Sequence, residues 1–116
     1  MADTPLAERS CIPCRGGVPP LAPEQYTSFL AVLPQWKVVN NHHLSRNFTF
    51  KDFLSALDFT NRAGGVAEEQ GHHPEITVGW GHALVEIWTH KIDGLAESDF
   101  VLAAKLDQLV SGETNQ

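Results

Sequence analysis

At 116 residues the chain suits one compact domain whose core is just large enough to fold alone. Its 42% hydrophobic and 19% charged residues are ordinary for a globular protein, and no apolar run approaches the roughly 20 residues of a membrane span. A net charge of −6, with eight Lys and Arg scattered along the chain, leaves no basic stripe of the kind that direct nucleic-acid binding needs.

Residues 1–22 read as an extended arm, rich in Pro and Gly and without a period. The start, MADTPLAERSC, lacks a basic stretch followed by an apolar one, so a cytoplasmic location is expected. Cys11 and Cys14 form a lone C-x-x-C pair with Pro13 between them. Two sulfurs fall short of a zinc site, and the expected reading is two reduced thiols in a tail. Pro23 suits the first turn of a helix, and Tyr26, Phe29, Leu30 and Leu33 follow at helical spacing until Pro34 ends the run. Trp36 to Val39 and His43 to Phe48 then make a hairpin around Asn40 and Asn41.

Thr49 with Asp52 resembles a capping box, placing a second helix over 51–70 with Phe53, Ala56, Leu57, Thr60, Ala63, Gly64 and Ala67 as its stripe. Gly64 and Gly65 inside it suggest close approach to a sheet, with a kink as the alternative. Gly71 ends the helix, and His72-His73-Pro74 connects to a strand holding Ile76, Val78 and Trp80. Gly81 turns the chain into Leu84 to His90, where Val85 and Ile87 face inward and Glu86, Trp88 and His90 outward. A third helix carries Leu102, Ala103, Leu106, Leu109 and Val110, and residues 113–116 fray. The domain proper spans 23–112. The order α-β-β-α-β-β-α predicts an α+β two-layer sandwich, a four-stranded antiparallel sheet with three helices on one face. Its open sheet edges and small core point to a homodimer or homotetramer.

Six histidines invite attention. His42, His43 and His82 sit at turns and read as solvated. His72, His73 and His90 differ: folding the hairpin about Gly81, with Trp80 opposite His82 and Val78 opposite Leu84, brings all three to one end of the sheet. Surface histidines that share a sheet end, and a zinc site, are the competing readings. Adjacent His72 and His73 point apart in an extended chain, which disfavours one shared metal ion. Acid–base work fits better, because imidazole titrates near about pH 6.5. No metal and no organic cofactor is expected.

The stretch EEQGHHPEITVGWGHALVEIWTHKIDGLAESD resembles the signature of the pterin-4a-carbinolamine dehydratases. The matching parts are Glu68, His72-His73-Pro74, Trp80, Thr89-His90, Gly94-Leu95 and Asp99. Phe48-x-Phe50-x-Asp52-Phe53 is similar to the start of the family's second helix, and the Cys11 to Leu21 arm is similar to that of many bacterial members. Ala96 departs from the family's Ser or Thr, which removes a helix cap worth around 1 kcal/mol unless Ser98 or Asp99 substitutes.

The resemblance implies dehydration of a 4a-hydroxytetrahydropterin to a quinonoid dihydropterin, in support of tetrahydropterin recycling. It implies that His72 and His90 transfer protons while His73 holds or polarises the pterin. It also implies that Glu68 orients an imidazole and that Gly71, Trp88, Thr89 and Lys91 line the substrate. A solvated helix carboxylate is an equal reading of Glu68. Members of the family also act as dimerisation partners of a transcription factor without touching DNA, so a binding module is the alternative.

Overall fold

The computed structural model describes residues 5–9 and 19–110; Cys11, Cys14 and residues 111–116 lie outside them. Helices α1 (Pro23–Ala31), α2 (Phe53–Gln70) and α3 (Glu97–Gln108) and strands β1 (Lys37–Val39), β2 (His43–Thr49), β3 (Glu75–Gly79) and β4 (His82–Ile87) follow the predicted order. The sheet is antiparallel, with strand order β1-β2-β4-β3. Each hairpin is local. The long-range join is β2 on β4, which sets Leu44 opposite Ile87 and Thr49 opposite His82.

Side chains alternate across a strand, so this register decides what is buried. Leu44, Phe48, Ala83, Val85 and Ile87 share one face, and all are sealed from solvent. Val38 and Ile76 extend that face to the two edge strands. The helices cover it, giving the two-layer α+β sandwich. No described helix is long and apolar enough to cross a membrane.

Helix α3 is the centre of the helical layer. Ser98 to Ala104 are all buried, so this helix is covered nearly all round rather than along the single stripe expected. Tyr26 and Phe29 of α1 lie against its Phe100, with ring centroids 5.8 and 5.4 Å apart. Within the segment read as an extended arm, Leu6–Glu8 forms one turn of 3₁₀ helix and buries Leu6 in the core. Lys105 Nζ donates to the Ala7 carbonyl at 2.9 Å, and Arg9 pairs with Glu97 at 3.0 Å.

Three details of α2 differ from expectation. Its cap is Asp52, whose carboxylate accepts the Ser55 N–H at 2.8 Å, so Thr49 stays in β2 and the helix starts at Phe53. Its buried stripe is Ala56, Phe59, Ala63 and Ala67, whereas Phe53, Leu54 and Leu57 are exposed. Phe59 anchors the stripe by packing on Phe48, with centroids 4.4 Å apart. A Cβ added at Gly64 or Gly65 would meet nothing within 4 Å, so those glycines do not serve approach to the sheet.

One polar group closes the core beside β1. Asp107 Oδ1 accepts from Trp36 Nε1 at 2.8 Å and from Arg46 at 2.6 Å, while the Arg46 guanidinium lies 4.0 Å over Phe48. Burial pushes the Asp107 carboxyl above its ordinary range, against the opposing pull of Trp36 and Arg46. Asp52 is shifted the other way, chiefly by the hydrogen bond from the Ser55 backbone.

These shifts have opposite consequences for stability. A carboxyl lowered by folding stabilises above its unfolded pKa and loses that contribution as pH falls through the folded value. A raised carboxyl stabilises fully below its unfolded pKa and loses that contribution as pH rises through the folded value. In urea melts at neutral and acid pH, Asp52→Ala is expected to show its deficit at neutral pH and to approach wild type in acid. Wild type is expected to gain on Asp107→Asn as the pH falls. A pH-independent difference for either variant contradicts the assignment.

Candidate active site

Helix α2 delivers the first two histidines. Gly71 takes a left-handed conformation (φ 66°) and the His72 N–H returns to the Ala67 carbonyl at 3.2 Å, which reverses the chain at the helix end. A side chain at Gly71 would strain this turn. His72 and His73 follow at once, and Pro74 leads into β3.

The β3–β4 hairpin turns through two residues, Trp80 and Gly81, the latter at φ 77°. Gly79 therefore faces His82 and Val78 faces Ala83, one step from the register expected by folding about Gly81 alone. His82 opens β4 rather than sitting in the turn, and a Cβ on Gly79 would meet its ring at 2.4 Å. The one-step slip leaves His72 and His73 level with the end of β4.

The third histidine is not on the strand. Ladder pairing stops at Ile87, and Thr89 instead pairs across to Gly94, its N–H donating to the Gly94 carbonyl at 2.8 Å. His90 opens the 3₁₀ turn His90–Ile92 that this bridge closes. It is exposed, and its ring lies on Trp88 with centroids 4.4 Å apart.

A cleft of about 400 Å³ lies between these segments. Gly71, His72, His73, Pro74 and Glu75 form one wall; Trp88, Thr89, His90 and Lys91 form the other. All three expected histidines reach it, as do Gly71, Trp88, Thr89 and Lys91. Glu68 is not part of the wall; its carboxylate accepts from His73 Nε2 at 2.6 Å. Both members of that pair are exposed, which limits its worth to about 1 kcal/mol or less.

Asp99 is the residue that sequence reasoning assigned no place in the site. Its carboxylate is wholly buried. Oδ1 accepts from His72 Nε2 at 2.6 Å, and Oδ2 accepts from Thr89 Oγ1 and from the Ala96 N–H, both at 2.8 Å. The last bond satisfies the Ala96 N–H and is the Asp99 half of a capping box whose other half Ala96, with no side-chain oxygen, cannot supply; α3 nevertheless starts at Glu97. A carboxylate only accepts, so the His72 nitrogen facing it carries hydrogen and Nδ1 is left to receive a proton. The Thr89 hydroxyl is committed to Asp99, so Thr89 shapes the cleft from behind. Glu68 and Asp99 engage different histidines, and among the described residues no group of three His, Cys, Asp or Glu is arranged to hold a metal ion.

His42 and His43 were expected to be solvated. They are half-buried, and both rings lie against Trp88, at 5.1 and 5.8 Å between centroids. Their proximity to the cleft comes from the β2–β4 register, which lays the β1–β2 turn beside the end of β4.

Known proteins resemble this chain over most of its length. Residues 19–109 match the family model described as pterin 4 alpha carbinolamine dehydratase. A Rubrobacter xylanophilus protein, provisionally named as such a dehydratase, is 59% identical over 90% of this chain and 97% of its own length. One from Alkaliphilus metalliredigens, named in the same way, is 51% identical over 89% of this chain and 94% of its own. Among solved structures, a transcriptional coactivator/pterin dehydratase from Brucella melitensis superposes with a TM-score of 0.73. It is 31% identical, over 78% of this chain and 97% of that one. Matched by the family model over residues 19–109 and by relatives up to 59% identical over most of its length, this chain belongs to the pterin 4 alpha carbinolamine dehydratase family.

Proposed function

We propose that this chain is a hydro-lyase that removes water from a 4a-hydroxytetrahydropterin, forming a quinonoid dihydropterin. The observation that carries this reading is His72, clamped by buried Asp99, facing His90 across one cleft. Breaking the C4a–oxygen bond requires a proton on the departing hydroxyl, and the N5 proton must leave to form the new double bond. We assign His72 Nδ1 as the base at N5, since Asp99 stabilises the imidazolium that results. His90 protonates the hydroxyl, which departs as water. One proton is taken and one given, so the reaction needs no net proton. Trp88 and Lys91 line the ring's path, and His73, steadied by Glu68, holds the pterin from the helix side.

A second reading, a partner-binding module, draws on the exposed apolar face of α2 at Phe53, Leu54 and Leu57 and on the coactivator description of the Brucella structure. Association of identical chains would cover that face as well, and the edge strands β1 and β3 offer further pairing. We therefore place the chain in a homodimer or homotetramer. Light scattering at micromolar concentration is expected to exceed the 12.8 kDa of one chain; a monomer mass refutes the assembly.

The deciding experiment is turnover of a 4a-carbinolamine by the purified protein. His90→Ala is expected to fold normally and to lower kcat by roughly 10²–10⁴-fold, with less change in KM. Wild-type rates from that variant remove His90 from the mechanism.

Asp99 is testable separately. Asp99→Ala orphans the Thr89 hydroxyl and the Ala96 N–H, and each buried unsatisfied group costs about 1–3 kcal/mol. Chemical denaturation is expected to show that loss. Asp99→Asn keeps the shape and is expected to retain the fold with lowered kcat, since misorienting a catalytic imidazole costs up to roughly 10⁴-fold. An Asn variant as active as wild type makes Asp99 a purely structural residue.

A further inference from the structure

His90 stands on a four-residue excursion, His90 to Asp93, pinned at its base by the Thr89–Gly94 bridge. The far end of the excursion carries a second contact, at the surface, where Asp93 is exposed and His42 half-buried. Asp93, in a left-handed conformation (φ 50°), accepts from His42 Nε2 at 2.8 Å. His42 Nδ1 lies 3.0 Å from His43 Nδ1, and His43 Nε2 faces the Glu86 carboxylate of β4 at 3.4 Å. Two ring nitrogens at 3.0 Å need one hydrogen between them, so one imidazole donates, the other accepts, and each fixes the other's orientation. The turn that carries the pair is itself held, because Tyr26 Oη donates to Asn41 Oδ1 at 2.6 Å from the buried side of α1.

Trp88 lies between the two groups. His90 covers it at 4.4 Å, and His42 and His43 contact it at 5.1 and 5.8 Å. A chain of contacts thus runs from Tyr26 through Asn41, His42 and Asp93 to the His90 turn, with Trp88 packed inside it. A solvated pair of turn histidines has no need of such partners.

We propose that His42 and His43 are positioning residues for His90. His42 latches the β1–β2 turn onto Asp93, and the pair buttresses Trp88 so that the His90 imidazole is presented to the cleft at one angle. This rests on the dehydratase reading for its kinetic consequence but not for its structural one. Neither histidine lines the cleft, so loss of the latch moves His90 without removing a substrate contact. Displacement of a catalytic group by about 1 Å costs up to roughly 100-fold in rate.

The test uses the full chain and reads both consequences. His42→Ala is expected to lower kcat roughly 10- to 100-fold with little change in KM, and Asp93→Ala, which removes only the exposed bond, by less; the double variant is expected to be no worse than His42→Ala alone, because the Asp93 bond is already lost in it. Asp93→Asn keeps an acceptor oxygen for His42 and is expected to restore most of the rate. Independently of turnover, the His90 ring proton resonances, displaced in wild type by the Trp88 ring current, are expected to move towards free-histidine positions in Asp93→Ala and to return in Asp93→Asn. Unmoved His90 resonances in Asp93→Ala overturn the latch. So do additive rate losses, or wild-type kcat in Asp93→Ala where wild type turns over. If wild type shows no turnover, the dehydratase reading falls, and the resonances still decide whether the latch exists.

Discussion

A carboxylate taken fully out of water must be surrounded by donors, and Asp99 has three: an imidazole, a hydroxyl and a backbone N–H. Each comes from a different segment. His72 belongs to the α2–β3 connection, Thr89 to the stretch after β4, and Ala96 to the start of α3. One buried charge therefore ties together the elements whose meeting creates the cleft. Its place in the first turn of α3 adds the favourable field of a helix N-terminus. Removing any one donor would leave a buried acceptor short of a partner, so geometry and stability are coupled at this point.

The rest of the site is built with graded firmness. His72 is nearly enclosed and its nitrogen is assigned by a buried acceptor. His73 rests on an exposed pair with Glu68 that solvent screens. His90 is exposed and is oriented by stacking on Trp88 and by the turn that carries it. One group is thus held against the core, and the others stand at the surface of the cleft. The apolar side of the sheet lies behind this end, filled by Leu44, Ile87 and Leu95, all sealed from solvent.

The exposed part of α2 shows the opposite economy. Its inner stripe of Ala56, Ala63 and Ala67 is small, so the helix lies near the sheet without glycine, and Phe59 provides the bulk. Among the described residues nothing lies within 4 Å of a Cβ at Gly64 or Gly65, and Phe53, Leu54 and Leu57 stand on the exposed side of the helix.

The sequence by itself determined the element order, the sandwich class and the meeting of His72, His73 and His90 at one end of a hairpin. These follow from local signals: alternation in Val85 and Ile87, the helix stop at Gly71 and the turn at Gly81, which act over a few residues. The His72-His73-Pro74 and Thr89-His90 motifs likewise carry the family resemblance in the sequence. Tertiary structure alone decided the β2–β4 register, and with it the approach of His42 and His43 to Trp88, because pairing strands more than thirty residues apart leaves no local mark. It decided that His90 leaves the strand, since Thr89 pairs with Gly94 and with Asp99 of α3 instead of continuing the ladder. It decided as well that Asp99, a helix-start residue when read along the chain, is the anchor of the site. Burial makes that difference, for a carboxylate's partners depend on which donors the folded core brings within reach.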